Sequence, residues 1–239
     1  MTKHINFAYL QARDVKRNAI AHTEEIHVSQ ALRAISKHLG SGGKKTILDL
    51  GGASKANVSY FSNYSCTLII DDFLNEYRRL KQSEPECSPA RALESLVGDN
   101  GGWRFDAIFA WDILNYLNPV EAKSFLKALS DRSKADALLL AYVSSVTDIP
   151  EEPSSHHIID HERISLLKRG AGTIKCARFS QRELMTYLPG WKLTRSIHLR
   201  SALQEHLFTF SGRPAGLPAD CRSDASRSER SVHDDLVSA

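Results

Sequence analysis

Three features of the sequence predict an α/β fold: a doubly wound, mostly parallel sheet finished by an antiparallel hairpin. Short apolar runs alternate with helix-patterned segments. Two of those runs, ILDLGG and LIIDD, end in an acid followed by a turn. The last two runs are separated by too few residues to hold a crossover helix, so they must pair antiparallel. With 239 residues the chain has room for one sizeable domain and an appendage. Its composition, 42% hydrophobic and 25% charged, excludes a fully disordered chain and a fibrous rod.

The elements follow in order. Thr23-Glu24-Glu25 opens a helical periodicity carried by Ile26, Ala31, Leu32, Ile35 and Leu39 and closed by Gly40. Residues 45–50, KTILDL, form the first buried strand, and residues 66–70, CTLII, the second. Helices are expected over about residues 75–81 and 90–96, and the strand wanted between the second and third strong runs is weak or hidden. Residues 105–111, FDAIFAW, make the third strong run. Asn118-Pro119 then caps and opens a helix through about Arg132. Residues 137–143, ALLLAYV, are the fourth run. Ser180 with Glu183 matches a capping box, Gly190 breaks that helix, and residues 191–199 and 203–210 form the closing hairpin. Residues 213–239 carry no aromatic side chain and too little apolar area to repay ordering, and are expected to be a disordered tail.

The balance of 31 basic and 28 acidic side chains is too mild to announce a polyanion, so no nucleic acid is expected. Cys66, Cys87, Cys176 and Cys221 stand apart with no C-x-x-C pair, which fits neither a zinc knuckle nor a disulfide framework and suits a reducing, cytoplasmic setting. No run approaches the roughly 18 apolar residues of a membrane helix, and no membrane is expected. The segment GSGGKKT at residues 40–46 mimics a phosphate loop but precedes its strand, and reads as a linker.

In register, ILDLGGASKAN, LIIDDF, FDAIFAWDILNYL, ALLLAYV and FSQRELMTYLPGWKL with its hairpin resemble the class I S-adenosylmethionine-dependent methyltransferases over roughly residues 45–211. The resemblance implies a seven-stranded Rossmann-like sheet, S-adenosylmethionine as cofactor, a methyltransferase-like domain over residues 41–212, and an N-terminal helical segment, residues 1–40, on the substrate side. It places Asp49, Gly51, Gly52 and Ala53 in a turn that passes close to the cofactor, where a Cβ would obstruct. The family pattern is acid-x-Gly-x-Gly-x-Gly, and this chain has Ala53 and Lys55 at the later glycine positions. Asp71, twenty positions after Gly51 (71 − 51), suits a ribose because a carboxylate accepts from two vicinal hydroxyls. Asp72 is the alternate, and Phe73 is set against the adenine. Trp111 and Asp112 end the strand that faces the ligand crevice, so Asp112, Asn115 and Tyr116 are the polar groups expected to meet cofactor or acceptor.

Residues 144–180 make an excursion longer than a plain connection, which marks a functional loop. It carries His156, His157 and His161, the last two sharing a face if the stretch is helical. No cysteine or H-E-x-x-H motif accompanies them, so no metal site is expected, and His161 is read as a base. Arg163, Lys168, Arg169, Lys175, Arg178 and Arg182 are the densest basic stretch, without the aromatics that stack bases. The expected reaction moves a methyl group to an oxygen, nitrogen or carbon of a small-molecule acceptor. Asp112, Tyr116 and His161 are the base or positioning candidates. Two alternatives stay open: a non-catalytic regulator or scaffold on the same fold, suggested by Ala53 and Lys55, and an NAD-binding oxidoreductase, because Gly51-x-Ala53-x-x-Ala56 with Asp71 mimics a dinucleotide turn. The sequence names neither the acceptor nor the oligomeric state.

Overall fold

The computed structural model describes residues 23–98, 102–168, 170 and 172–212. The expected tail, Cys221, Arg169 and the first part of the expected N-terminal segment lie outside the described residues. In chain order the first half holds β1 (Thr23–Val28), α1 (Gln30–Leu39), β2 (Lys45–Asp49), α2 (Lys55–Phe61), β3 (Cys66–Ile70), α3 (Phe73–Ser83), α4 (Pro89–Val97) and β4 (Phe105–Trp111). A short 3-10 turn, Ile113–Tyr116, leads to α5 (Pro119–Asp131) and β5 (Ser133–Ser144). Then come β6 (Asp148–Pro150), β7 (Ser155–Ile158), β8 (Arg163–Lys168), β9 (Thr173–Lys175), α6 (Gln181–Tyr187), β10 (Trp191–His198) and β11 (Leu203–Phe210).

The main sheet has the order β10-β11-β5-β4-β2-β3. β2 pairs parallel with β3 and with β4, and β4 pairs parallel with β5. β11 runs antiparallel to both β5 and β10. From β2 the chain crosses to β3 on one side, whereas from β4 it crosses to β5 on the other, so the winding reverses between β2 and β4. In an open α/β sheet such a reversal is where a ligand crevice forms, at the carboxyl ends of the strands.

The two faces of the sheet follow from side-chain alternation. Leu48, Leu50, Ile108, Ala110, Leu139 and Ala141 point to the face covered by α3, α4, α5 and α6. Ile47, Ala107, Phe109, Leu138, Leu140 and Tyr142 point to the face covered by α1, α2 and part of the 144–180 excursion. Every residue of β4 is buried, as expected of a central strand covered on both faces.

Three expectations are corrected here. Among the described residues the main sheet has six strands, not seven. The connection from α3 to α4 is a tight turn in which the Cys87 amide donates to the Glu84 carbonyl at 2.8 Å, and Pro85 removes a ladder donor, so no strand forms there. The segment opening at Thr23 is strand rather than helix, because β1 pairs residue by residue with β8 from Thr23 opposite Lys168 to Val28 opposite Arg163. The helix begins only at Gln30, after Ser29 accepts the Leu32 amide at 2.9 Å as N-cap. The 144–180 excursion is also not helical around its histidines. β7 and β8 form a hairpin that extends through β1 into a three-stranded sheet, and β6 pairs with β9.

No helix of the described residues is long and apolar enough to cross a membrane. Among the described residues no group of three or more His, Cys, Asp and Glu side chains is placed to hold a metal ion.

Candidate functional site at the β2/β4 crevice

The crevice is built from the turn after β2. Asp49, the last residue of that strand, is fully buried. Its Oδ1 accepts the Gly51 amide at 3.1 Å and the Trp111 indole N–H at 2.6 Å, and its Oδ2 accepts the Asn57 amide at 3.1 Å. Burial raises the Asp49 pKa, and the three donors oppose that rise. Asn57 faces two ways, since its side chain also donates to the His156 carbonyl at 3.2 Å and accepts the Ile158 amide at 2.9 Å. It therefore ties α2 to β7.

The glycine turn and the end of β3 converge. The Gly52 amide donates to the Asp71 carbonyl at 3.1 Å, the Asp71 amide donates to the Asp49 carbonyl at 2.9 Å, and Gly51 and Asp72 form an isolated antiparallel bridge. Gly52 has a φ of 78°, in the left-handed region, and a Cβ there would stand 3.3 Å from an Asp72 carboxylate oxygen. Asp71 is half-buried, and burial lifts its carboxyl to about 6. Asp72 is exposed and caps α3, accepting the Asn75 backbone amide at 3.3 Å and its side-chain amide at 2.6 Å. Ala53, in the turn, and Lys55, the first residue of α2, are exposed. Phe73 does not face a ligand: it is fully buried, with its ring centroid 4.6 Å from that of Phe125 and 5.9 Å from that of Tyr77. As the first residue of α3 it turns inward, which removes it from the adenine position expected above.

Trp111 ends β4 with a φ of 46°, a conformation that costs a bulky residue about 1–3 kcal/mol. Its ring lies over the glycine turn, so that a Cβ on Gly51 would stand 2.5 Å from Trp111 Cδ1. Only glycine fits beneath it. The indole stacks on His156 at 4.8 Å, and His156 stacks on Tyr142 at 5.1 Å. His156 is buried, its pKa is pushed down to about 3, chiefly by desolvation, and its Nε2 has no hydrogen-bond partner. Tyr142 donates to buried Glu205 at 3.3 Å and meets His27 Nε2 at 3.0 Å.

Asp112, the next residue, is buried and lifted to about 6, chiefly by desolvation, while its Oδ2 accepts the Ser154 amide at 3.1 Å. Asn115 splices the 3-10 turn to β5, donating to the Tyr142 carbonyl at 3.2 Å and accepting the Ser144 amide at 2.7 Å. The Tyr116 hydroxyl is committed to the Pro150 carbonyl at 3.0 Å, and burial raises its pKa. His161 lies at the far end of β7 from Asp112, its side chain 67% exposed and its carbonyl accepting Ser36 Oγ. The structure thus gathers Asp49, Gly51, Gly52, Asp71, Trp111 and Asp112, keeps Tyr116 at the rim, and leaves His161 outside. His156 is the functional candidate that sequence reading passed over in favour of His161. The inward burial of His156 and Ile158, alternating with half-buried Ser155 and His157, is a strand signature that a helical reading hides.

The expected basic stretch is dispersed. Arg163 pairs with Asp160 at 2.6 Å and Lys175 with Asp148 at 2.7 Å, each on its own small sheet.

No protein-family model and no curated protein sequence matches the chain. Solved structures to which it is similar are S-adenosylmethionine-dependent methyltransferases. One, from Clostridium acetobutylicum, is 13% identical with a TM-score of 0.45 over 76% of this chain and 91% of that one. Another, the 1,6-didemethyltoxoflavin-N1-methyltransferase of Burkholderia thailandensis, is 17% identical with a TM-score of 0.43 over 77% and 80%. A third, the magnesium protoporphyrin IX methyltransferase of Synechocystis PCC 6803, is 10% identical with a TM-score of 0.41 over 76% and 79%. Likeness at this level assigns no activity to the chain.

Proposed function

We propose that the chain binds the nucleoside of S-adenosylmethionine at the β2/β4 crevice and acts as a methyltransferase on a small-molecule acceptor. The observation that carries this reading is the interlocked pair of turns after β2 and β3, Gly51-Gly52 against Asp71-Asp72, beside the point where the sheet reverses its winding. It holds a half-buried carboxylate beside a turn in which Gly52 admits close approach, a combination suited to a ribose. The nucleoside end of the cofactor fits these residues. The part beyond the ribose would run from β3 across β2 toward β4, where the Trp111 ring lies over Gly51.

When bound, the cofactor supplies a methyl group already activated by a sulfonium. What remains for the chain is to bind, align and exclude water. Asp71 accepts the ribose hydroxyls, and Asp72 holds α3 against the glycine turn. Asp112 has a carboxyl poised near 6, so at neutral pH it is ionised and able to take a proton from an acceptor hydroxyl or amine. Tyr116 positions the loop at Pro150. His161 has no part in this reading.

A non-catalytic reading is favoured by one observation: Asp49 is sealed by Trp111, Gly51 and Asn57. Calorimetry with S-adenosylhomocysteine, followed by transfer of tritiated methyl into fractionated extract, separates the two. Binding with label in a small molecule supports the enzyme. Binding with no label in any fraction supports the regulator, and the absence of binding at millimolar ligand removes both.

A further inference from the structure

The geometry points to Trp111 as the residue that decides what the crevice admits: it blocks the path of a 5′ chain leaving the ribose, and must swing aside before a nucleoside carrying such a chain can bind. This inference rests on the nucleoside reading above. Three observations converge on the same side chain. Its ring occupies the space over Gly51, close enough that a Cβ there would lie 2.5 Å from Cδ1 and 2.6 Å from Nε1. Its N–H takes an Asp49 lone pair at 2.6 Å, in a carboxylate with no solvent exposure. Its backbone sits at φ 46°, a region that a tryptophan leaves readily once its contacts are replaced.

The strand order gives the direction of the block. Asp71 follows β3, Gly51 follows β2, and Trp111 ends β4, so the crevice is crossed in that sequence. A chain extending from a ribose on Asp71 across β2 toward β4 would meet the ring over Gly51. Displacing the ring would strip Asp49 of its shortest hydrogen bond and leave a buried carboxylate short of a donor. An ammonium group on the incoming chain is the chemistry that makes good this loss, because it supplies both N–H donors and the opposite charge. An aliphatic or anionic chain cannot. The moving indole would also uncover His156, whose unpartnered Nε2 becomes a hydrogen-bond acceptor on the new cavity wall.

The test is calorimetry on the full chain with two probes, adenosine and S-adenosylhomocysteine. Trp111→Ala is expected to bind S-adenosylhomocysteine about tenfold or more tightly than the wild type while adenosine changes by less than about threefold. Trp111→Phe keeps a ring over Gly51 and is expected to retain most of the block. Equal affinity of wild type and Trp111→Ala for S-adenosylhomocysteine overturns the gate and leaves the nucleoside reading standing. Failure of both proteins to bind either probe overturns the reading and the gate together. Should Trp111→Ala not fold, fluorine NMR of the 5-fluorotryptophan-labelled wild type reads the same motion, with the Trp111 resonance assigned by its loss in Trp111→Phe. That resonance must shift on saturation with S-adenosylhomocysteine and stay in place with adenosine; an unmoved resonance at saturation overturns the gate.

Discussion

Asp71 and Asp112 are both lifted to about 6 by burial, yet the consequences differ because Asp71 is only half-buried, whereas Asp112 is buried and accepts the Ser154 amide. Ribose hydroxyls donate to an ionised Asp71, so nucleoside affinity is full above about pH 6 and declines as the pH falls through that value. Calorimetric titrations from about pH 7.5 to about pH 5 should show this decline. Asp71→Asn should flatten the profile and lower affinity by about tenfold at neutral pH. Asp112 has a folded pKa raised above its ordinary 3.8, so the folded state holds the proton more tightly than the unfolded chain. The associated stabilisation is complete below about pH 4 and is lost as the pH rises through about 6. Asp112→Asn keeps an oxygen for the Ser154 amide without the buried charge. Its melting temperature should exceed that of the wild type at about pH 7.5, with the difference vanishing near pH 4, while methyl transfer is lost. A gain in stability that persists unchanged at acid pH would contradict the assignment of the buried charge.

At the scale of elements, the helices on the α1/α2 face are held by single polar anchors as well as by apolar contact. α2 has only seven residues, of which Phe61 and Asn57 are buried. Asn57→Ala leaves the Ile158 amide without its partner and Asp49 short of a donor, which should destabilise the fold by about 2–4 kcal/mol in denaturant unfolding. The reversed strand β11 contributes the comparable anchor for α1. Buried Glu205 accepts the Ala31 amide at 3.0 Å at the positive end of that helix and the Tyr142 hydroxyl on the neighbouring strand. Glu205→Ala should cost about 2–4 kcal/mol, and Glu205→Gln much less because its amide oxygen still serves Ala31. By contrast the capping boxes of α5, Asn118 with Glu121, and of α6, Ser180 with Glu183, lie at the surface. Replacing either cap by alanine should cost about 1 kcal/mol.

At the scale of the molecule, the last hydrogen bonds of the sheet close on Gly190, whose carbonyl accepts the Ser211 amide at 2.7 Å and the Gly212 amide at 2.8 Å. β10 and β11 pair from Trp191 opposite Phe210 to His198 opposite Gln204, with one bulge between Leu193 and Arg195, and among the described residues both core clusters reach no further than Phe210. A chain ending at Gly212 should keep the melting temperature of the full protein within about 2 °C and the same nucleoside affinity. A larger drop would give residues 213–239 a structural role, against the composition that marks them as a tail.

The strands β2, β3, β4 and β5, the helices α3 to α6 and the antiparallel closure were legible from the sequence because their signals are local. Runs such as CTLII and FDAIFAW, and caps such as Asn118-Pro119, act over a few residues and suffer little competition. The convergence of Gly51-Gly52 with Asp71-Asp72 was legible for a related reason, as each sits at a strand end whose position is set by those runs. Partnership at a distance decided the rest. TEEIHV became strand because RISLLK was there to pair with it, although the same residues carry a helical period. Phe73 went to the core because Phe125 and Tyr77 offered it aromatic contact. Trp111 came to rest on the glycine turn, sealing Asp49 and stacking on His156, through contacts with residues 60, 62 and 45 positions away along the chain (111 − 51, 111 − 49, 156 − 111). Local sequence states what each segment prefers, while burial and hydrogen bonding between distant segments choose among those preferences, and the character of this crevice rests on that choice.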